Sequence, residues 1–204
     1  MKYRFFDINN LTDEEYFRYY SLMSDEKKER LSAYRFDKDK RLSVAGEMLV
    51  KKLIADETGK DKKDIIIQTD ENGKPFTQNA DIHLSISHSN DLVIAAISSS
   101  EVGVDIEKIK PVSDSLINKV CTQKELEYVS DSSISKSEKE KRFFEIWTFK
   151  EAYFKFIGTG ITDFKSICIF DSDLRHNIHS FFYNGYAVGI FTRLHTDTSI
   201  DLTQ

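Results

Sequence analysis

The sequence predicts an α+β fold made of two similar halves packed together. Three observations carry that prediction. In each half the helical segments come first and the strands after, whereas an alternating α/β protein would interleave them. The hairpin ends "DLVIAAIS" and "GYAVGIFT" are weakly alike, which points to a duplicated unit. No Pro/Gly-rich linker separates the halves, so residues 1–104 and 105–204 are expected to form one compact unit.

The elements follow in order. "KYRFFDI" reads as a short strand, and "LTDEEYFRYYSLM" as a helix opened by Thr12 with acids in its first turn. "SDEKKERLSAYRF" starts a second helix, with Ser24 as N-cap. "DKDKRLSVAGEMLVKKLIADETG" places Leu42, Ala45, Leu49, Leu53 and Ile54 at helical period and stops at Gly59. "DIIIQTDENGKPF" is a strand ended by an Asn72-Gly73 turn, and "DIHLSISHSNDLVIAAIS" is two strands around a polar turn. Beyond Pro111, "SDSLINKVCTQKELEYV" is helical with a break near Cys121. "SDSSISKSEKEK" is a polar loop whose end runs toward the next helix, "RFFEIWTFKEAYFKFIG". "SICIF", "IHSFFY" and "YAVGIFT" close the chain as strands.

Bulk properties narrow the class of function. At 204 residues, 40% hydrophobic and 31% charged, the chain has the make-up of a soluble globular protein with a real core. A net charge of −5 gives no global field that would favour nucleic acid. Cys121 and Cys168 form neither a disulfide framework nor a metal spacing, which suits a reducing compartment. No segment has the apolar core of a signal peptide or approaches the roughly 20 apolar residues of a membrane span. A cytoplasmic monomer with no membrane and no nucleic-acid partner is expected.

Chemistry enters with "EVGVDIEKIK", residues 101–110. In a strand Val102, Val104 and Ile106 share one face, and Gly103, Asp105 and Glu107 the other. Two carboxylates side by side are either the solvated face of a half-buried strand or part of a hard-cation site, since Mg²⁺ binds through one or two carboxylates together with water and substrate phosphates. The D-x-E pattern alone leaves both open. The helix holding "WTFKEAYFK" is apolar nearly all round, hence buried, yet contains Lys150, Glu151 and Lys155. Glu151 and Lys155 have the i, i+4 spacing of a simple helix ion pair, and equally that of a functional pair beside Asp105 and Glu107.

"GVDIE" followed by "WTFKEAYFK" resembles the 4′-phosphopantetheinyl transferases of the large, single-chain type that act on peptidyl and acyl carrier proteins. Their G-x-D-x-E and W-x-x-K-E-x-x-x-K patterns are complete here as Gly103, Asp105, Glu107, Trp147, Lys150, Glu151 and Lys155. "GKP" at 73–75 and "SISHS" at 85–89 precede them in the family's order, and "GTGI" at 158–161 follows. The resemblance covers about residues 24–161 together with the final "GYAVGIF". Each motif is weak alone; four in order with these spacings are specific.

The resemblance implies transfer of phosphopantetheine from coenzyme A to a serine of an apo carrier domain, with release of 3′,5′-ADP, at an active site between the halves. It implies Mg²⁺ on Asp105, Glu107 and Glu151, with Lys155 facing the phosphates. The serine proton goes to Glu151 or to Glu125, both being acidic positions of the pattern. For coenzyme A it points to Lys27 and Arg30 at the 3′-phosphate, with Lys74, Pro75, Ser87, His88 and Ser89 nearby. Each has a plainer reading: Lys27 and Arg30 as partners of Glu26 and Glu29, Gly73–Pro75 as a turn, His88 as a turn hydrogen-bonder. Two departures stand out, Ser85 where the family often has Asn and Leu42 where it has Arg. His83, His176, His179 and His195 receive no role. The carrier is expected near Val112, Leu116, Ile117 and Val120. A non-catalytic module binding coenzyme A or a nucleotide is the competing class, disfavoured because three carboxylates without metal would repel a polyanion.

Overall fold

The computed structural model describes residues 1–78, 80–160 and 163–193. The strands are β1 (Lys2–Asp7), β2 (Ile67–Thr69), β3 (Pro75–Thr77), β4 (His83–Ser89), β5 (Leu92–Ser98), β6 (Val102–Lys108), β7 (Ile178–Tyr183) and β8 (Tyr186–Thr192). The helices are α1 (Asp13–Ser21), α2 (Asp25–Ser32), α3 (Asp37–Thr58), α4 (Asp114–Val120), α5 (Gln123–Val129), α6 (Lys136–Ile157) and the short α7 (Ser172–Arg175). The α+β class is as expected, but each half opens with a strand, β1 and β6, ahead of its helices, so the expected order of helices first does not hold.

Local chemistry sets these boundaries. The Thr12, Ser24, Ser113 and Ser135 side chains accept the N–H of Glu15, Lys27, Leu116 and Glu138, satisfying donors that a helix start leaves open. Such caps each contribute about 1 kcal/mol. α3 and α6 both end on a glycine in the left-handed region, Gly59 at φ 72° and Gly158 at φ 74°. The break near Cys121 separates α4 from α5, and Thr122 with Glu125 forms a capping box there.

One segment departs from expectation. "SICIF" is not a strand: it starts at the end of a 3₁₀ turn, Phe164–Ser166, and runs into a turn before α7. Its apolar side chains Ile167, Cys168 and Ile169 are buried as a strand's would be. Its backbone is satisfied differently, with Ile169 N donating to the Glu125 carboxylate and Cys168 N to Asp171 Oδ2. An apolar run predicts burial; where its N–H groups go is decided by the neighbours.

The strands form a sheet in the order β1-β5-β4, a second in the order β6-β8-β7, and the small hairpin β2-β3. Both large sheets are antiparallel. α3 covers one face of the first, its Met48 and Val44 clustering with Val93, Ala95 and Ile97. α6 lies on β6 and β8. The remaining faces meet in a shared core of Ile94, Ala96, Val104, Ile106, Val188 and Ile190. β5 is therefore buried on both faces, which explains its uninterrupted apolar run.

Two glycines set how closely α6 approaches. A Cβ at Gly103 would stand 2.0 Å from Ala152 O and 2.4 Å from Phe156 N, and one at Gly189 would stand 2.6 Å from Thr148 O. Those are helix backbone atoms that cannot turn aside. The helix end that carries Glu151 and Lys155 is thereby pressed onto the strand that carries Asp105.

Candidate active site

β6 points Asp105 and Glu107 at α6, on the face opened by Gly103. Asp105 is only 3% exposed, so the solvated-face reading fails for it. Lys155, in the last turn of α6, makes its ion pair with Asp105 Oδ1 at 2.7 Å, not within its own helix. Ser87 Oγ stands 2.7 Å from the same oxygen and accepts from Lys155 Nζ at 2.9 Å.

The "SISHS" motif explains this order. Ser85, Ser87 and Ser89 share one face of β4, and their hydroxyls stitch β4 to β6 where no sheet ladder joins them. Ser85 Oγ accepts from Val104 N at 3.0 Å, and Ser89 Oγ donates to Glu107 Oε2 at 2.7 Å while accepting from Lys108 N. The seam between the two sheets is thus built from serine side chains, and two of them orient the carboxylates.

The electrostatics are unbalanced. Burial pushes Glu107 above the ordinary carboxylate range, with the Asp105 charge adding to it and the Ser89 hydroxyl opposing. Glu151 is pushed up to about 7, first by burial and then by Asp105, with Lys155 offsetting part. Asp105 Oδ2 is buried without a hydrogen-bond partner. Among the described residues no three His, Cys, Asp or Glu side chains stand as a ready metal cage. The donor chemistry nevertheless fits a hard divalent cation: oxygen-only ligands, an unpartnered buried carboxylate oxygen, and mutual repulsion among three acids.

A cleft of about 270 Å³ brings Glu151 and Lys155 together with Gly73, Lys74, Pro75 and Ser85 in its wall, whereas Asp105, Glu107, Ser87, His88 and Ser89 do not line it. Pro75 and Ile86 also line a second cavity that holds Lys27, Arg30, Ser43 and the buried Glu47. Burial lowers the Lys27 ammonium, the Arg30 charge lowers it further, and Glu47 opposes. His88 is exposed on β4.

Residues 10–100 match the family profile described as "4′-phosphopantetheinyl transferase, N-terminal", and residues 101–199 match "4′-phosphopantetheinyl transferase superfamily". The chain is 34% identical over 153 residues to the 4′-phosphopantetheinyl transferase Sfp of Bacillus subtilis (strain 168), covering 74% of this chain and 67% of that one. The chain belongs to the 4′-phosphopantetheinyl transferase family. It is likewise 35% identical over 158 residues to the 4′-phosphopantetheinyl transferase gsp of Aneurinibacillus migulanus, covering 77% of this chain and 65% of that one. To the L-aminoadipate-semialdehyde dehydrogenase-phosphopantetheinyl transferase of Xenopus laevis it is 30% identical over 150 residues, 67% of this chain and 49% of that one. The chain spans about two thirds of the length of the two bacterial relatives.

Not every candidate residue of the transferase motifs reaches the cleft. Glu125 is completely buried away from it. It pairs with the equally buried Lys150 at 2.6 Å and accepts from Thr122 N and Ile169 N. Lys150 Nζ also donates to Val120 O and Phe164 O. The pair therefore ties α4, α5, α6 and the segment after α6 together. Ile117 and Val120 are buried in the second-half core, which leaves only Val112 and Leu116 of the expected docking stripe partly accessible. Ile161 of "GTGI" and His195 lie outside the described residues.

Sequence reading missed a second buried charge cluster. Lys51 pairs with Glu47 at 3.6 Å and donates to the carbonyls of Leu22 and Ile65. Its signal was present in α3: an acid and a lysine at i, i+4 inside an apolar stretch, the same signal that marked α6. Glu101, which pairs with Lys74, carried no such signal.

Proposed function

We propose that this chain transfers the 4′-phosphopantetheine group of coenzyme A to a serine hydroxyl of an apo acyl or peptidyl carrier domain, releasing 3′,5′-ADP in a Mg²⁺-dependent reaction. The observation that carries the reading is Asp105: buried, with Oδ1 fixed by Ser87 and Lys155, Oδ2 without a hydrogen-bond partner, and its charge helping to raise both Glu107 and Glu151.

Asp105, Glu107 and Glu151 would hold the cation, which when bound supplies charge neutralisation at the pyrophosphate. Lys155 lies at the wall of the cleft and counters charge on the phosphate oxygens; Lys74 and Pro75 flank it. Lys27 and Arg30 in the adjoining cavity would form the cationic corner for the 3′-phosphate; His88, exposed on β4, is kept as a coenzyme contact by the motif alone. Ser87 and Ser89 hold the two β6 carboxylates in place.

The serine oxygen forms its bond to the β-phosphorus as the bond from that phosphorus to the 3′,5′-ADP oxygen breaks. The serine proton passes to a carboxylate, and we assign it to Glu151. Both Glu125 oxygens are engaged inside the core, whereas the Glu151 carboxylate borders the cleft. Phosphoryl transfer asks a protein mainly for positioning and charge, and the side chains supply both.

The two halves fit a duplicated ancestor with the site at their seam, the second opening with β6 at Val102, so that the expected 104/105 boundary falls inside that strand. In each, the leading strand pairs with the last, the penultimate strand lies at the edge, and a 22-residue helix ending in a left-handed glycine covers the sheet.

The test is intact-mass spectrometry of apo acyl and peptidyl carrier domains incubated with the protein, coenzyme A and Mg²⁺. A phosphopantetheine-sized gain that EDTA abolishes is expected. No gain on any carrier, with coenzyme A still bound, would replace transfer with a binding-only role.

A further inference from the structure

We infer that Glu101 is a positioning residue for coenzyme A: it holds the Lys74 ammonium at the wall of the cleft, ready for the coenzyme's phosphates. The inference rests on the proposed reading of the cleft and adds a residue that none of the motifs contains.

Lys74 forms the wall between two cavities. One, of about 270 Å³, contains Glu151 and Lys155; the other, of about 470 Å³, contains Glu101 and His83. The lysine is fixed at both ends. At its backbone, Asp70 Oδ1 accepts from Lys74 N at 2.8 Å and from Asn72 N at 2.9 Å, locking the turn. At its tip, Nζ lies 2.6 Å from Glu101 Oε2 and donates to Phe156 O at 3.0 Å. Phe156 follows Lys155 directly, so this bond sets one cation relative to the other.

Glu101 is itself oriented. Its second oxygen lies 3.1 Å from His83 Nδ1, so the carboxylate bridges imidazole and ammonium. Gly158 leaves the lysine its channel: a Cβ there would sit 3.3 Å from Lys74 Cδ. An ammonium has three N–H donors, and two are used by Glu101 and Phe156 O, which leaves one for a ligand. A free lysine would lose its rotamer freedom on meeting a phosphate, whereas a held one has lost it already, and affinity rises accordingly. The Glu101 side chain is 44% exposed, so the pair contributes little to folding, and its effect on binding is separable from stability.

The experiment compares wild type, E101Q, K74A and the double variant, measuring kcat, KM for coenzyme A and for carrier, and the coenzyme A dissociation constant by titration calorimetry. Losing the preorganisation should raise KM and the dissociation constant of coenzyme A about three- to tenfold in E101Q. kcat should stay within about twofold, carrier KM should hold, and E101Q should add nothing once Lys74 is gone. Unchanged or tighter coenzyme A binding in E101Q, with K74A weakened, overturns the inference and would mean that Glu101 is neutral or competes with the phosphates. An equal loss in the K74A background also overturns it. If K74A itself binds coenzyme A normally, the reading of Lys74 as a coenzyme contact is what fails.

Discussion

Lys155 and Asp105, fifty residues apart in the chain, meet at 2.7 Å on the face that Gly103 leaves bare. Ser87 bridges them, standing 2.7 Å from the carboxylate and 2.9 Å from the ammonium. One contact thus joins three of the motifs, and it directs what to expect of variants.

Asp105→Asn keeps the shape of the side chain and removes its charge. Transfer should fall on the order of a hundredfold or more, because the buried anion at the centre of the cluster is gone. Circular dichroism should show the fold intact. A folded D105N with full Mg²⁺-dependent activity would remove Asp105 from the site.

Ser87→Ala should be milder. The hydroxyl touches the carboxylate and the lysine, so its loss acts through them, lowering activity about 10- to 100-fold as for other residues that orient ligands. A higher Mg²⁺ requirement should accompany the loss. An unchanged Mg²⁺ titration would show that Lys155 alone suffices to orient Asp105.

Gly103→Ala should destabilise by at least about 1–3 kcal/mol, since the new methyl meets helix backbone and α6 must lift off β6. Thermal denaturation should register this as a lower Tm. A normal Tm would contradict the close approach itself.

Glu125 and Lys150 test structure against catalysis. Glu125→Ala leaves a buried ammonium unpaired and should cost about 3–5 kcal/mol, whereas the double variant E125L/K150M should recover only part of that, because Thr122 N, Ile169 N, Val120 O and Phe164 O lose their side-chain partners. If Glu125 were the general base, the folded double variant would lose kcat as severely as E151Q.

The pH dependence of stability has a defined sign. Burial, then Asp105, raises Glu151 to about 7 in the folded protein, so the folded state holds this proton more tightly than the unfolded chain. Its stabilising contribution is full below the unfolded value near 4.5 and is lost as pH rises through about 7. Without divalent cation, Tm should fall between about pH 4.5 and 7, less so in Glu151→Gln, and Mg²⁺ should restore it above pH 7 by binding the native state. A Tm that rises across that window would contradict the assignment.

The sequence by itself determined most of the elements, "SICIF" excepted, and the list of chemical groups. Helix starts were written in Thr12, Ser24 and their like, because a cap is a contact over three residues. Helix stops were written in Gly59 and Gly158, because the left-handed region is a property of one residue. The face shared by Gly103, Asp105 and Glu107 followed from strand alternation. The motif set named the family.

Tertiary structure alone decided which charges meet. Lys155 had a partner at i−4 and took Asp105 instead, because Gly103 and Gly189 bring α6 onto the sheet. Glu125 and Glu151 looked interchangeable as acids; one is sealed against Lys150 and the other borders the cleft. Glu101 lay outside every motif, yet it reaches Lys74 from across the hairpin. "SICIF" had the apolar content of a strand and found its N–H partner in a side chain. Local pattern fixes what is buried, since burial follows from composition and period. The pairing of buried charges depends on distances between segments remote in sequence, and those exist only once the layers have packed.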